Sequence, residues 1–212
     1  SKEAFFAKAK KIRRANVMRR GPVQGSSQAI FPHTGSPKAL VILAEYQDKK
    51  FSIKDPKRSF NQYLNKEEGK QEEFGYRESK NYGSVRQYFS EMSNGQFTPQ
   101  FDIVGPVTLP EDMTYYGGTS SKGNDERTAQ MVVDACELVK DSVDFSLYDS
   151  NNDGYVDLVY VIYAGYGQSM GAANNTVWPQ ATYVRSQAEY NGKKIYRAGV
   201  NNELIGNENT FN

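Results

Sequence analysis

A nine-residue segment with the pattern D-x-N-x-D-G-x-x-D, followed at once by an apolar run, constrains this chain more than any other feature. It spans residues 149–157, and the apolar run continues over residues 158–164. Short oxygen-bearing side chains at alternate positions can turn towards the inside of a tight loop, and Gly154 permits the sharp turn that such a loop needs. The segment therefore predicts a loop that folds back on itself just before a buried strand.

The same segment predicts a calcium site. Its expected ligands are four side chains and one backbone carbonyl, from Asp149, Asn151, Asp153, Asp157 and, through its carbonyl, Tyr155. Hard cations such as calcium prefer oxygen ligands of this kind. Position 12 of the loop is Tyr160, where an EF-hand needs a bidentate Glu, so the pattern indicates a calcium loop that leads into a strand. A solvated turn rich in Asp and Asn, without an ion, is the alternative.

Hydrophobic patterning predicts an α/β fold with a mixed twisted sheet packed on two helices. Residues 39–46 form an apolar run interrupted only by Glu45, which is typical of a central strand buried on both faces. An apolar stripe over residues 84–93, capped by Ser84, predicts one helix, and residues 125–140 predict a second. The remaining predicted elements are a short helix near residues 57–65, strands over 96–108, 156–164, 176–184 and 194–200, and a hairpin turn at 191–193.

The charge distribution separates a basic amino-terminal region from an acidic remainder. Eight of the 26 Lys and Arg residues lie within residues 1–20, which hold a single acid, so 18 basic and 24 acidic residues elsewhere give a net charge of −6. Pro and Gly punctuate the segment that follows, which indicates a linker. We expect residues 1–37 to form a basic helical leader with its linker and residues 38–212 to form one folded domain. The dibasic pairs ending at Arg14 and Arg20 are expected processing sites.

Composition also excludes several classes of protein. No window approaches the run of about 18 apolar residues that a membrane span needs, so no span is expected. The acidic body argues against nucleic acid as a partner. Cys136 is the only cysteine, which excludes a disulfide framework and a thiolate zinc site. A calcium loop in a chain rich in Tyr, Asn and Gly favours an extracellular or cell-surface location.

Two patterns suggest nucleophilic catalysis, and both conflict with their surroundings. Residues 167–171 match the G-x-S-x-G elbow of serine hydrolases, but Ser169 lies well past the predicted strand end and no helix is predicted after it. Cys136 and His33 are a candidate nucleophile pair, yet Cys136 falls on the apolar face of a predicted helix and His33 lies in the linker. The residues themselves supply no convincing catalytic set, which leaves a calcium-binding, non-catalytic adhesion or glycan-binding module as an alternative function.

The order of motifs resembles the immune inhibitor A-like family of secreted bacterial metallopeptidases. The resemblance covers about residues 35–205, and the segments that carry it are 35–46, 84–97, 102–106, 145–157, 163–168 and Val177-Trp178-Pro179. It implies a zincin-like catalytic domain, in which a mixed sheet lies over a backing helix and an active-site helix with the motif H-E-x-x-H. The two His bind zinc, and the Glu acts as general base on a zinc-bound water. The resemblance also implies a protein or peptide substrate held along an edge strand.

The sequence departs from this family pattern in one respect: it lacks H-E-x-x-H, which a single histidine cannot supply. The resemblance then implies an inactive N-terminal part of the catalytic domain, whose partner is the missing C-terminal part with the zinc site. Residues 1–37 would be the end of a propeptide or its junction. No zinc ligand or catalytic Glu can be assigned in this chain. Gly165, Gly167 and Trp178 are assigned by resemblance as substrate-side residues, and the calcium ligands are those given above.

Overall fold

The computed structural model describes residues 30–66, 83–118, 125, 127–186 and 188–205. Its helices are α1 (Pro56–Asn65), α2 (Val85–Met92), α3 (Met113–Tyr116) and α4 (Thr128–Val139). Its strands are β1 (Lys38–Glu45), β2 (Gln100–Thr108), β3 (Val159–Tyr166), β4 (Gln180–Tyr183), β5 (Glu189–Tyr190), β6 (Lys193–Lys194) and β7 (Arg197–Leu204). The predicted helical leader and its processing sites, Arg14 and Arg20, lie outside the described residues.

Five of the strands form one mixed sheet in the order β2-β1-β3-β7-β4. Neighbouring strands from β2 to β7 are parallel, while β4 runs antiparallel to β7 and forms one edge. Strands β5 and β6 form a separate hairpin. The prediction of an α/β protein with a mixed sheet is confirmed. The antiparallel strand is the one that follows Trp178-Pro179, in keeping with the preference of proline for sheet edges.

Side chains that alternate along β1 supply two hydrophobic cores, one on each face of the sheet. Leu40 and Ile42 belong to the larger core, which contains the buried face of α4. Val41 and Leu43 belong to the smaller core, together with Leu64 of α1. Because β2 and β3 lie on opposite sides of β1, crossovers of the same hand place their helices on opposite faces. Helices α4 and α1 therefore cover different faces of the sheet, whereas the sequence indicated α4 and α2 as the covering pair.

Helix α2 begins where the sequence indicates but does not bury its apolar stripe. The Ser84 hydroxyl accepts a hydrogen bond from the Gln87 amide at 3.1 Å, as an N-cap residue does. None of its residues is buried, and the side chains of Tyr88 and Met92 are 59% and 58% exposed. The 3.6-residue period thus predicts the helix correctly, but a period carries no information about what lies against the apolar face.

The strand limits differ from the predicted ones at the edge of the sheet. The predicted strand 176–184 is shortened to β4 because Trp178 and Pro179 precede the ladder, and the predicted strand 194–200 moves to β7. The hairpin turn at Asn191-Gly192 is present, with positive φ angles of 51° and 73°. Within the described part of the chain, no helix combines the length and apolarity that crossing a membrane requires.

Candidate functional site

The loop at residues 149–157 connects a short 3₁₀ turn, Phe145–Tyr148, to strand β3. The Asp157 amide donates to the Tyr148 carbonyl at 2.8 Å and closes the loop at its base. Asn152 and Gly154 have φ angles of 57° and 90°, which the tight reversal requires. Glycine adopts this region without strain, and Asn tolerates it better than most other residues. The loop geometry expected from the sequence is therefore present.

Backbone amides fix the carboxylates of the loop in a regular way. The Asp149 carboxylate accepts from the amides of Asp153 at 3.0 Å and Gly154 at 2.9 Å. The Asp153 Oδ1 atom accepts from the Tyr155 amide at 3.0 Å. Such bonds from a short acidic side chain to amides further along the chain are what make Asp and Asn favourable in tight loops. These bonds orient the acidic side chains without the help of an ion.

Asp157 carries an unsatisfied oxygen inside the loop. Its side chain is 1% exposed, and its Oδ2 atom accepts from the Ser150 amide at 3.0 Å and from the Ser150 hydroxyl. Its Oδ1 atom is buried and has no hydrogen-bond partner. Burial raises the pKa of Asp157 above its ordinary value, although the bonds from Ser150 oppose this effect. A buried carboxylate oxygen without a partner is costly, and a bound cation would remove that cost.

Lys193, on strand β6, is a member of the site that the sequence analysis did not identify. Its ammonium lies 2.7 Å from Oδ2 of Asp149, whose side chain is fully buried. Burial raises the pKa of Asp149, but the hydrogen bonds from Lys193, Gly154 and Asp153 outweigh it and lower the pKa overall. The sequence offers only a weak signal for this contact, a lysine directly after the Asn-Gly turn.

The donor atoms of the loop match calcium in chemistry. Among the described residues, no three His, Cys, Asp or Glu side chains already form a metal centre, so the calcium site stays a prediction. The loop nevertheless offers carboxylate oxygens, the Asn151 amide oxygen and the Tyr155 carbonyl. Pairing with β6 uses the carbonyl of Gly154 and the amide of Val156, and leaves the Tyr155 carbonyl out. Calcium is bound by oxygen sets of this composition.

Glu203 joins three segments at the carboxyl end of the sheet, a role that the sequence did not reveal. Its carboxylate accepts from the amides of Ser52 at 2.8 Å, Ile53 at 3.0 Å and Gly165 at 2.9 Å. Burial raises the pKa of Glu203, and these three hydrogen bonds oppose the rise. Gly165, assigned by resemblance to the substrate side, therefore has its amide committed to Glu203, and its φ of 86° favours glycine.

The other two residues assigned to the substrate side, Trp178 and Gly167, differ in their exposure. Trp178 precedes β4, is 49% exposed, and donates its amide to Asp125 at 2.6 Å. Gly167 lies against the interior, where a Cβ atom would come within 2.7 Å of Oδ1 of Asn202 and 2.9 Å of the Tyr163 hydroxyl. Of the residues assigned to the substrate side, only Trp178 thus presents a side chain to solvent.

The structure separates the residues of the two nucleophile patterns. Ser169 lies on a 3₁₀ turn, Gln168–Met170, beyond the carboxyl end of β3, and Gly171 follows as a turn residue. His33 is exposed near the amino end of β1, which is parallel to β3, so the two residues lie at opposite ends of the sheet. Cys136 is fully buried in α4. Neither pattern forms a catalytic group.

Cys136 is expected not to react with a thiol reagent such as DTNB while the chain is folded, and to react completely in guanidinium chloride. Burial excludes the reagent and raises the pKa of the thiol far above its ordinary value, so the reactive thiolate is not populated. Release of the coloured product measures both states. Labelling of the folded chain as fast as that of a free cysteine would contradict the packing of α4.

The fold and the loop define a class: an α/β protein whose mostly parallel sheet ends in an antiparallel edge strand, with an oxygen-rich loop before a central strand. Within that class, the profile of the family Immune inhibitor A peptidase M6, catalytic domain, matches residues 30–210, and the chain belongs to this family. The resemblance inferred from the order of motifs is confirmed.

A comparison with one curated relative shows how much of each chain is matched. The chain is similar to Immune inhibitor A of Bacillus thuringiensis subsp. alesti, with 27% identity over 169 residues, which cover 66% of this chain and 25% of the relative. The match therefore spans about a quarter of the length of this relative.

Proposed function

We propose that this chain is the N-terminal part of the catalytic domain of a secreted zinc-dependent endopeptidase that hydrolyses peptide bonds in proteins. The family match over residues 30–210 carries the proposal, since the matched family consists of M6 peptidases and the matched region is their catalytic domain. The antiparallel edge strand and the packing of helix α4 in the larger core are in keeping with a zincin-like arrangement, which adds an active-site helix. An extracellular location rests on the family resemblance and on the calcium loop.

The residues of this chain do not fit the catalytic zinc. The sequence contains one histidine, His33, which is exposed, and one cysteine, Cys136, which is fully buried. Zinc in a hydrolase site needs three protein ligands, usually His and Glu, together with an open position for water. We therefore place the zinc ligands and the general base in the part of the protein that this sequence does not include, and no catalytic step is assigned to residues of this chain.

Strand β4 is the element that we propose for substrate binding. It pairs with β7 on one side only, and within the described residues no strand pairs with its other side. An extended peptide can add to such an edge through backbone hydrogen bonds, which hold a substrate with little dependence on its side chains. The exposed ring of Trp178 at the start of β4 offers one apolar contact for a substrate side chain.

Calcium, bound by the loop at residues 149–157, would brace the same edge. The amide of Lys194 donates to Gly154 at 3.0 Å, and the amide of Val156 donates to Lys194 at 3.0 Å, so the loop is joined to strand β6. The hairpin β5–β6 connects β4 to β7, and the Val184 amide continues their ladder by donating to Tyr196 at 2.8 Å. An ion that rigidifies the loop would thereby limit the motion of the edge strand.

The complete protein is expected to cleave casein and to lose this activity to the zinc chelator 1,10-phenanthroline, while residues 30–212 alone have no activity. Zinc supplies the activated water and polarises the scissile carbonyl, and neither can occur without its ligands. Release of acid-soluble peptides measures the activity, and zinc added back restores it. A complete protein that stays active after zinc removal would overturn the proposal. Inactivity combined with calcium-dependent glycan binding would favour the adhesion module.

A further inference from the structure

The ammonium group of Lys193 lies inside the candidate cation loop. Its Nζ atom is 2.7 Å from Oδ2 of Asp149 and 3.3 Å from Oδ1 of Asn152. The Lys193 side chain is 17% exposed and that of Asp149 is not exposed at all, so water screens this pair only weakly. Lys193 and Asp149 therefore form an ion pair that is largely shielded from solvent.

The backbone of the β5–β6 hairpin places Lys193 next to the loop. Asn191 and Gly192 form the tight turn, and the strand that follows is bonded to Gly154 and Val156 through Lys194. On the other side of the turn, Tyr190 stacks on Phe145 with ring centroids 4.8 Å apart. Since both flanks of the hairpin are fixed, Lys193 is held at the loop by the fold and does not depend on an ion for its position.

The charges of the loop and of Lys193 combine to a value that suits a divalent ion. Asp149, Asp153 and Asp157 carry three negative charges and Lys193 carries one positive charge, which leaves a net charge of −2. Lys193 occupies the Asp149 oxygen that also accepts from Gly154, whereas the unpartnered Oδ1 of Asp157 is elsewhere in the loop. The lysine and a cation can therefore be present together, in which case they repel each other.

We infer that the ammonium group of Lys193 acts as a permanent cation within the loop. Its charge stabilises the calcium-free state and weakens calcium binding. This inference rests on the calcium site of the proposed function. It gives the loop a regulatory property: low affinity, in the range of about 0.1 to 1 mM that extracellular calcium modules show. The loop then fills where calcium is plentiful and remains folded around Lys193 where it is scarce.

The test is calcium titration of the Lys193→Gln variant beside the parent chain. Glutamine keeps a hydrogen-bond donor for Asp149 but removes the charge, so we expect the dissociation constant for calcium to fall by about tenfold or more. The melting temperature in EGTA is expected to fall, and that in saturating calcium to change little. Isothermal titration calorimetry with calcium chloride and thermal melts supply both quantities. Lys194→Gln is the matched control, because it removes the same charge from the next, exposed position of β6.

The outcomes separate this inference from the proposed function. If the parent binds calcium and Lys193→Gln binds it equally well or more weakly, Lys193 does not oppose the ion and the inference is overturned, while the calcium site stands. If the parent gives no heat of binding and no shift in melting temperature, the calcium site itself is wrong. Should Lys193→Gln not fold in EGTA, Lys193→Arg, which retains the charge, must keep the affinity of the parent within about twofold, since the net charge of the loop is unchanged.

Discussion

Replacing Asp153 by alanine is expected to abolish the rise in melting temperature that calcium produces in the parent chain. The substitution removes one proposed ligand and also the acceptor of the Tyr155 amide. A ligand that binds only the folded state, at a concentration of 100 times its dissociation constant, stabilises by about 2.7 kcal/mol. For a chain of this size that corresponds to a shift of roughly 5–10 °C. Differential scanning calorimetry in EGTA and in calcium chloride measures the shift directly.

Asp141→Ala is the matched control for this prediction. Asp141 is exposed and lies outside the loop, so its removal changes the net charge equally but takes no ligand away. The control is expected to keep the full calcium response. If Asp153→Ala responds to calcium as strongly as the parent, the assignment of residues 149–157 is wrong. If all three chains lack a response, the loop is the solvated turn that the sequence also allows.

The regular elements could be predicted because their burial patterns are local. The unbroken apolar run at residues 39–44 belongs to β1, whose side chains at these positions are buried on both faces of the sheet. In α4, the predicted apolar face is the buried one, since a helix against a sheet needs a single stripe. These inferences need only the period of the hydrophobic pattern, which neighbouring residues determine.

The contacts that complete the candidate site were not predictable in this way. Glu203 accepts hydrogen bonds from amides 150 and 151 positions away, and Lys193 reaches Asp149 across 44 positions. In sequence, a single glutamate at a strand end and a lysine after a turn are both typical of exposed surface. Their burial depends on which strands become neighbours, and the order of the strands in the sheet does not follow from the pattern within any one strand.

The loop itself shows both the strength and the limit of sequence inference. The spacing of Asp149, Asp153 and Gly154 predicts the turn, because each short carboxylate needs an amide a few residues later. The spacing does not reveal that one oxygen of Asp157 remains buried without a partner, nor that a lysine enters the loop. The first of these observations supports an ion, and the second determines how tightly an ion would bind.

Substituting Gly117 by alanine is expected to destabilise the chain by about 3 kcal/mol, whereas Gly118→Ala should cost less than about 1 kcal/mol. A Cβ atom at Gly117 would lie 2.4 Å from the carbonyl oxygen of Asn175 and 2.5 Å from the carbonyl carbon of Thr176. Both are backbone atoms, so the segment that leads into β4 must move. At Gly118 the closest atom is Nη1 of Arg127 at 2.8 Å, the end of a flexible side chain that can move aside.

The segment at residues 175–176 leads into β4, the strand proposed for substrate binding. Its displacement in Gly117→Ala can therefore be measured in a second way. Val177 follows directly and its carbonyl accepts from the buried Tyr163 hydroxyl at 2.8 Å, so a shift at Thr176 is passed to Trp178. Trp178 is the only tryptophan, and its fluorescence reports on this position alone. Gly117→Ala is expected to change the emission maximum of the folded chain and to lower its urea midpoint, while Gly118→Ala changes neither appreciably. Equal effects of the two substitutions would show that the contact between α3 and this segment does not position the entry to β4.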